Sequence, residues 1–157
     1  MSVPIQILAA LAVLTNAVVY GTDTVAALVT RSVHRRLDDT TMTLSAGWGH
    51  YYADLRMPPI GITGLVSALL ATVLAGVGGY TVPAVSAGLS VLALVAWLVL
   101  YARIAKPVNT AQKAAAQTGT IPPDARALQE RWDSILHPRV GLQMVALIAL
   151  LVTIATA

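Results

Sequence analysis

All the lysine and arginine residues of this chain lie in or beside two segments of the sequence. The first group follows the first apolar stretch, and the second lies between the third and fourth apolar stretches or at their edges: Arg31, Arg35, Arg36 and Arg56, then Arg103, Lys106, Lys113, Arg126, Arg131 and Arg139. The four apolar stretches carry no cation away from their ends. Proteins that cross a bilayer four times show this distribution, because cations are retained on the cytoplasmic side. We therefore predict two cytoplasmic loops and two external chain ends.

The composition indicates that lipid is the solvent of this chain. Apolar residues make up 57% of its 157 residues, charged residues make up 11%, and the mean hydropathy is +0.73. A soluble chain of this size would leave much apolar surface in water. We therefore predict a multi-pass protein of the plasma (inner) membrane, whose main partner is the lipid bilayer. The first apolar run has no basic residue before it, which favours an uncleaved span over a signal peptide.

Other classes of protein are disfavoured by what the sequence lacks. The chain contains no cysteine, which excludes disulfides, thiolate zinc sites and iron–sulfur clusters. Its cations are interleaved with acidic residues and form no basic patch with aromatic residues between them, so we expect no nucleic-acid partner. Apart from Asp23, no span carries a charge away from its ends, and no inverted repeat is visible, which disfavours a small transporter.

We predict an all-α integral membrane four-helix bundle, a single domain over residues 1–157, with two structured cytoplasmic loops. The predicted spans are 4–30, 59–79, 82–104 and 138–156. Each is near the length of about 20 residues that crosses the hydrocarbon core. The second and third spans are joined by a short uncharged turn, so they should pack as antiparallel neighbours. Rows of small residues in the second span predict helix packing within the bundle or, alternatively, a homo-oligomer contact.

The two loops are predicted to contain short helices. The first loop has an amphipathic pattern over 40–55, and the second reads as a capped helix over 125–136. Pro138 disfavours α geometry at the preceding residue, so a bend should separate this second helix from the last span. Asn109 follows Pro107 at the end of the third span, where we expect it to cap that helix.

Asp23 is the most informative single residue, because it lies within the first span. An ionisable side chain at membrane depth costs about 2.5–3.5 kcal/mol and normally faces the protein interior with a partner. The carboxylate could act as a base or bind a ligand at the inner end of the bundle. Alternatively, it forms a structural salt bridge with an arginine such as Arg56 or Arg139.

His50 and Asp54 are four residues apart, so on a helix they would share one face. Such a pair could exchange a proton in acid–base catalysis. It could also hold a metal, with Asp23 or His137 as the third ligand. A simpler alternative is a hydrogen bond that anchors the loop. Among the aromatic residues, Trp132 and Tyr51 lie near the predicted inner mouth.

Several short motifs resemble the anthrone oxygenase-related family of small four-helix membrane proteins. They are Gly21-Thr22-Asp23 in the first span, Pro107-x-Asn109 after the third, and Arg131-Trp132 followed by Arg139. The segment with His50, Asp54, Arg56, Met57 and Pro58 resembles an actinobacterial branch of that family. Oxygenase-like members place a histidine four residues after the tryptophan; here that position is Leu136 and the histidine is His137. The resemblance covers essentially the whole chain.

This resemblance implies a cofactor-free oxygenase acting on a lipophilic aromatic substrate. A base removes a proton from the central methylene of a flat polyphenol, and the carbanion then reacts with dioxygen. By this resemblance His50 or Asp23 is the base, and Arg56, Asn109 or Arg139 stabilises the enolate oxygen. The alternative function is a non-catalytic membrane protein that binds a lipophilic ligand or supports a partner complex.

Overall fold

The chain folds into six helices, in a computed structural model that describes residues 2–157. They are α1 (Val3–His34), α2 (Asp39–Arg56), α3 (Pro58–Val77), α4 (Thr81–Thr118), α5 (Ala125–Asp133) and α6 (Leu136–Thr156). Residues 2–157 contain no β-strand. The chain has four helical stretches that are long and apolar enough to cross a membrane: α1, α3, α4 and the α5–α6 stretch.

The four long helices form a ring in which each one packs against two others. α1 contacts α3 and α6, and α4 contacts the same two helices from the other side. The core between them is built largely from alanines, among them Ala9, Ala68 and Ala146, with Leu150 filling the remaining space. Small side chains allow the helix backbones to approach closely, which is how helices associate in lipid. The predicted rows of small residues in the second span therefore serve packing inside the bundle.

All the charged side chains lie toward one end of the bundle, called here the charged end. It is formed by the last turns of α1, the start of α3, the second half of α4, and α2 and α5. At the opposite end, Gly78, Gly79 and Tyr80 connect α3 to α4. Gly79 adopts a φ of +75°, a left-handed conformation that side chains other than glycine rarely adopt.

The third span is longer than the sequence pattern predicted, and Asn109 is not its cap. α4 continues past Pro107 to Thr118 and ends at Gly119. A π-helical turn over Tyr101–Ala105 precedes the proline. Such a turn changes the backbone hydrogen-bond register, so the missing N–H of Pro107 can be tolerated without ending the helix. Asn109 consequently lies within the helix and projects toward the bundle interior.

α2 lies across the second half of α4 at the charged end. Its first residue follows Asp38, whose carboxylate accepts a hydrogen bond from the Thr41 backbone N–H at 2.9 Å. Gly47 sits against α4 so closely that an added Cβ would be 2.2 Å from the backbone oxygen of Gln112. α2 is thus seated directly on the α4 backbone.

The predicted bend before the last span is present, but it occurs earlier than expected. α5 ends at Asp133, and Ser134 and Ile135 form a turn before α6 begins at Leu136. Pro138 then lies in the first turn of α6, where the missing N–H costs no hydrogen bond. The turn places the indole of Trp132 and the guanidinium of Arg139 on the same side of the bundle.

Candidate functional site

A cavity of about 590 Å³ opens at the charged end of the bundle. Its volume is in the usual range of small-molecule sites, about 300–1,000 Å³. Side chains from all six helices line it. Its wall is mainly apolar, with polar groups at three depths: a mouth, a middle level and a deep end.

The middle level is built on a buried ion pair between α1 and α6. Arg139 Nη2 donates a hydrogen bond to Asp23 Oδ1 at 2.7 Å, and Trp97 Nε1 donates to Asp23 Oδ2 at 2.8 Å. The guanidinium carbon of Arg139 lies 4.8 Å from the Trp97 ring centroid and 5.4 Å from that of Trp132. Arg139 is therefore held by a carboxylate and by two aromatic rings.

Asp23 forms the salt bridge that one of its two interpretations predicted. Both carboxylate oxygens accept a hydrogen bond, and the salt bridge to Arg139 is the one the sequence suggested, while Arg56 takes no part in it. A carboxylate paired in this way orients the arginine beside it.

The mouth of the cavity is closed on one side by Asp54. Its carboxylate accepts a hydrogen bond from the Tyr101 hydroxyl at 3.1 Å and another from the Lys113 ammonium. Burial raises the pKa of Asp54, but these two hydrogen bonds outweigh burial, so the pKa lies below its usual value. The carboxylate is thus ionised at neutral pH and ties α2 to α4.

His50 lies at the mouth between Asp54 and Trp132. Its ring centroid is 5.3 Å from that of Trp132. Within residues 2–157 no hydrogen bond joins His50 to Asp54, whose carboxylate is occupied by Tyr101 and Lys113. Burial lowers the pKa of His50 to about 4, although the Asp54 carboxylate raises it. The imidazole is therefore neutral over the physiological pH range.

Five buried polar atoms on the cavity wall have no hydrogen-bond partner among the described residues. They are Asn16 Nδ2, Asn109 Oδ1, Trp132 Nε1, Arg139 Nε and Gln143 Oε1. Leaving a buried polar group without a partner costs about 1–3 kcal/mol. A concentration of such groups around one cavity indicates that something polar, a ligand or water, enters it.

Two predicted site residues lie away from the cavity. Tyr51 is on the outer face of α2 and packs edge-on against Trp48, with ring centroids 5.6 Å apart. Arg56 is exposed and lies over the Tyr52 ring, 4.9 Å from its centroid. Both residues face outward because the inner face of α2 is occupied by its contact with α4.

The other six predicted residues border the same cavity: Asp23, His50, Asp54, Asn109, Trp132 and Arg139. His137, considered as a metal ligand, is exposed and contacts Arg31 at 3.3 Å. Within residues 2–157, no group of three or more histidine, aspartate and glutamate side chains is arranged to hold a metal ion.

Four polar or aromatic residues of the cavity wall were not predicted from the sequence: Asn16, Trp97, Tyr101 and Gln143. Two of them could have been found by helical spacing. Asn16 precedes Asp23 by two turns, and Gln143 follows Arg139 by about one, so each shares a face with one member of the ion pair. Trp97 resembles an ordinary membrane-interface aromatic, and nothing in the sequence separates it from that class.

Comparisons of the chain with protein-family models, with curated proteins and with solved structures found no match. The chemistry of this cavity must therefore be argued from its own residues.

Proposed function

We propose that the chain is a multi-pass membrane protein whose cavity binds a flat, lipophilic aromatic compound and oxidises it with dioxygen. The four long apolar helices and the apolar side chains exposed around them support insertion in a bilayer. The cations at the charged end favour an orientation with that end in the cytoplasm. We place the protein in the plasma membrane, as the sequence analysis predicted.

The observation that carries the proposal is the pair of unpartnered donors, Arg139 Nε and Trp132 Nε1, on the wall of a mainly apolar cavity beside a neutral imidazole. Donors held in place before the reaction stabilise an oxygen anion most effectively where water is excluded. Arg139 is held by Asp23 and by two indole rings, so its position does not depend on a ligand.

The proposed reaction begins at a methylene group between two aromatic rings and conjugated with a carbonyl. His50 takes one proton, and the C–H electron pair becomes an enolate whose oxygen accepts from Arg139 and Trp132. The electron-rich carbon reduces dioxygen and forms a C–O bond, giving a hydroperoxide after protonation. Loss of the second C–H proton with cleavage of the O–O bond yields a ketone and water. Overall, one methylene group and one dioxygen molecule are converted to one carbonyl group and one water molecule, without a metal or flavin.

In this proposal neither carboxylate is the base, although the resemblance allows Asp23 that role. Asp23 positions Arg139, and Asp54 holds the mouth by binding Tyr101 and Lys113. His50 is the proposed base, because it is the neutral imidazole on the wall, whereas His137 contacts Arg31 outside the cavity. A base whose conjugate acid has a pKa of about 4 is weak, so we expect a contribution near the lower end of the usual range.

Oxygen uptake by the purified protein with an anthrone tests the proposal. We expect wild-type protein, stripped of metal by a chelator, to accelerate uptake. His50→Gln should reduce the rate by about 10²-fold, the lower end of a general base's usual effect. The control is His137→Gln, which changes an exposed histidine outside the cavity and should keep full activity. Wild-type activity in His50→Gln would exclude His50 as the base.

A second candidate function is binding of the same class of ligand without catalysis. The full pairing of Asp23 and the weak basicity of His50 favour it. Anthrone that quenches tryptophan fluorescence but never consumes oxygen would support this function over the oxygenase. A protein that neither binds anthrone nor consumes oxygen would refute both.

A further inference from the structure

The deep end of the cavity contains two amides that no protein group satisfies. Asn16 on α1 is 3% exposed and Gln143 on α6 is 1% exposed. Asn16 Nδ2 and Gln143 Oε1 have no partner among the described residues, and both side chains line the cavity. Polar side chains are costly in an apolar span and usually mark function there.

The ion pair fixes how deep these amides lie. α1 and α6 run antiparallel, and Asp23 and Arg139 are joined at one level. At a rise of 1.5 Å per residue, Asn16 lies about 10 Å deeper than Asp23, and Gln143 about 6 Å deeper than Arg139. The two residues are therefore about 4–5 Å apart along the axis, a separation that one ligand group hydrogen-bonded to both amides can span.

We infer that Asn16 and Gln143 form a subsite that binds one hydroxyl group of the ligand, at the ring edge remote from Arg139. A hydroxyl both accepts, here from Asn16 Nδ2, and donates, here to Gln143 Oε1. A carbonyl in the same place would leave the Gln143 acceptor unpaired, and a methyl would leave both amides unpaired. This inference rests on the proposed function, because Arg139 and Trp132 bind the opposite oxygen.

The size of the expected discrimination follows from the two hydrogen bonds. Each hydrogen bond stabilises the bound hydroxyl, and an unpaired buried polar group is destabilising by more than such a bond contributes. The preference for a hydroxyl over a methyl should therefore be about tenfold or greater, since 1.4 kcal/mol is a factor of ten.

Two anthraquinones that cannot be oxidised at a methylene provide the binding test. Both carry the two hydroxyls that flank one carbonyl; at the far ring edge, one carries a third hydroxyl and the other a methyl of similar size. Trp97 and Trp132 line the cavity, so quenching of their fluorescence in detergent reports binding. Wild type should prefer the hydroxylated probe about tenfold or more.

Asn16→Leu and Gln143→Met preserve side-chain size while removing the hydrogen bonds. Each should reduce the preference for the hydroxylated probe severalfold, and the double variant should abolish it. The matched control is Ser90→Ala, a buried polar residue of α4 whose hydroxyl bonds within its own helix at 2.7 Å. It should retain the wild-type preference.

Thermal unfolding without ligand separates a binding role from a structural one. Removing an unsatisfied buried amide should leave the bundle as stable as wild type or more so. Clear destabilisation by both apolar variants would show that the amides support the fold, and would overturn the subsite. If wild type bound the two probes equally, the subsite would be overturned and the proposed function would stand. If neither probe bound, both the subsite and the proposed function would be refuted.

Discussion

The Asp23–Arg139 pair connects packing to function at the level of single residues. Both side chains are buried, at 5% and 7% exposed, and they join the first and last helices of the bundle. A buried ion pair contributes little net stability, but removing one partner leaves an uncompensated charge. Its consequence here is geometric, because the pair fixes the guanidinium at the cavity wall.

A double-mutant cycle should show that losing one partner of the pair is more destabilising than its net contribution to stability suggests. Asp23→Leu and Arg139→Met should each destabilise the bundle, by about 3–5 kcal/mol, because each leaves one buried charge alone. The double variant Asp23→Leu with Arg139→Met should lose less than the sum, since no charge remains. Unfolding in a denaturing detergent measures the three values. Additive losses would mean that the two side chains do not act as a pair.

His50 makes a pH-dependent contribution to the free energy of unfolding, and its sign follows from the burial of the imidazole. Its pKa of about 4 lies below the 6.5 of an unperturbed histidine, so the unfolded chain binds more protons between these values. Stability should therefore be full above pH 6.5 and fall as the pH drops toward 4. His50→Gln cannot titrate, so its unfolding free energy should vary less with pH in this interval. The same slope in wild type and variant would contradict the burial of the imidazole.

At the scale of elements, α2 is the part of the fold that forms the mouth of the cavity. It is held by the Asp54–Lys113 salt bridge and by the close approach of Gly47 to α4. Its opposite face exposes Trp48, Tyr51 and Tyr52, the side-chain type that favours a membrane interface. The helix therefore separates an inner polar face from an outer aromatic face.

Two glycines in α2 provide a matched test of this seating. A Cβ at Gly47 would collide with the α4 backbone, whereas a Cβ at Gly49 would meet nothing within 4 Å. Gly47→Ala should displace α2 and lower the unfolding temperature. Gly49→Ala should be neutral or stabilising by up to about 1 kcal/mol, because alanine is the better helix former. Equal behaviour of the two variants would contradict the close packing of α2 on α4.

The sequence predicted the elements better than it predicted their ends. Apolar periodicity and charge placement identify the four long helices, since both depend on local composition. The extension of α4 through Pro107 was missed because a π-helical turn has no reliable sequence signal. Tyr51 was assigned to the site from its place near the predicted mouth and Arg56 from the family resemblance, but the orientation of α2 depends on its contact with α4. That contact requires a glycine 65 residues away from Gln112 in sequence.

On the scale of the whole molecule, polarity is distributed along one axis. The end formed by Val77, Thr81 and Thr156 has no charged side chain, and the seven acidic residues lie with the ten cations at the other end. The cavity lies at the charged end and extends inward to Asn16 and Gln143. A lipophilic ligand in this cavity would therefore extend from the charged end toward the bilayer centre.

The orientation of this axis in the membrane can be tested because the chain has no cysteine of its own. Single cysteines at exposed Thr81, the first residue of α4, and at exposed Thr120, just after α4, mark the two ends. The cation distribution predicts a cytoplasmic charged end. A membrane-impermeant maleimide applied to intact spheroplasts should therefore label Thr81→Cys and leave Thr120→Cys unlabelled until the cells are broken. Labelling of Thr120→Cys alone in intact cells would contradict this orientation and place the cavity mouth on the external side. Labelling of both variants would indicate that neither end is shielded by the bilayer.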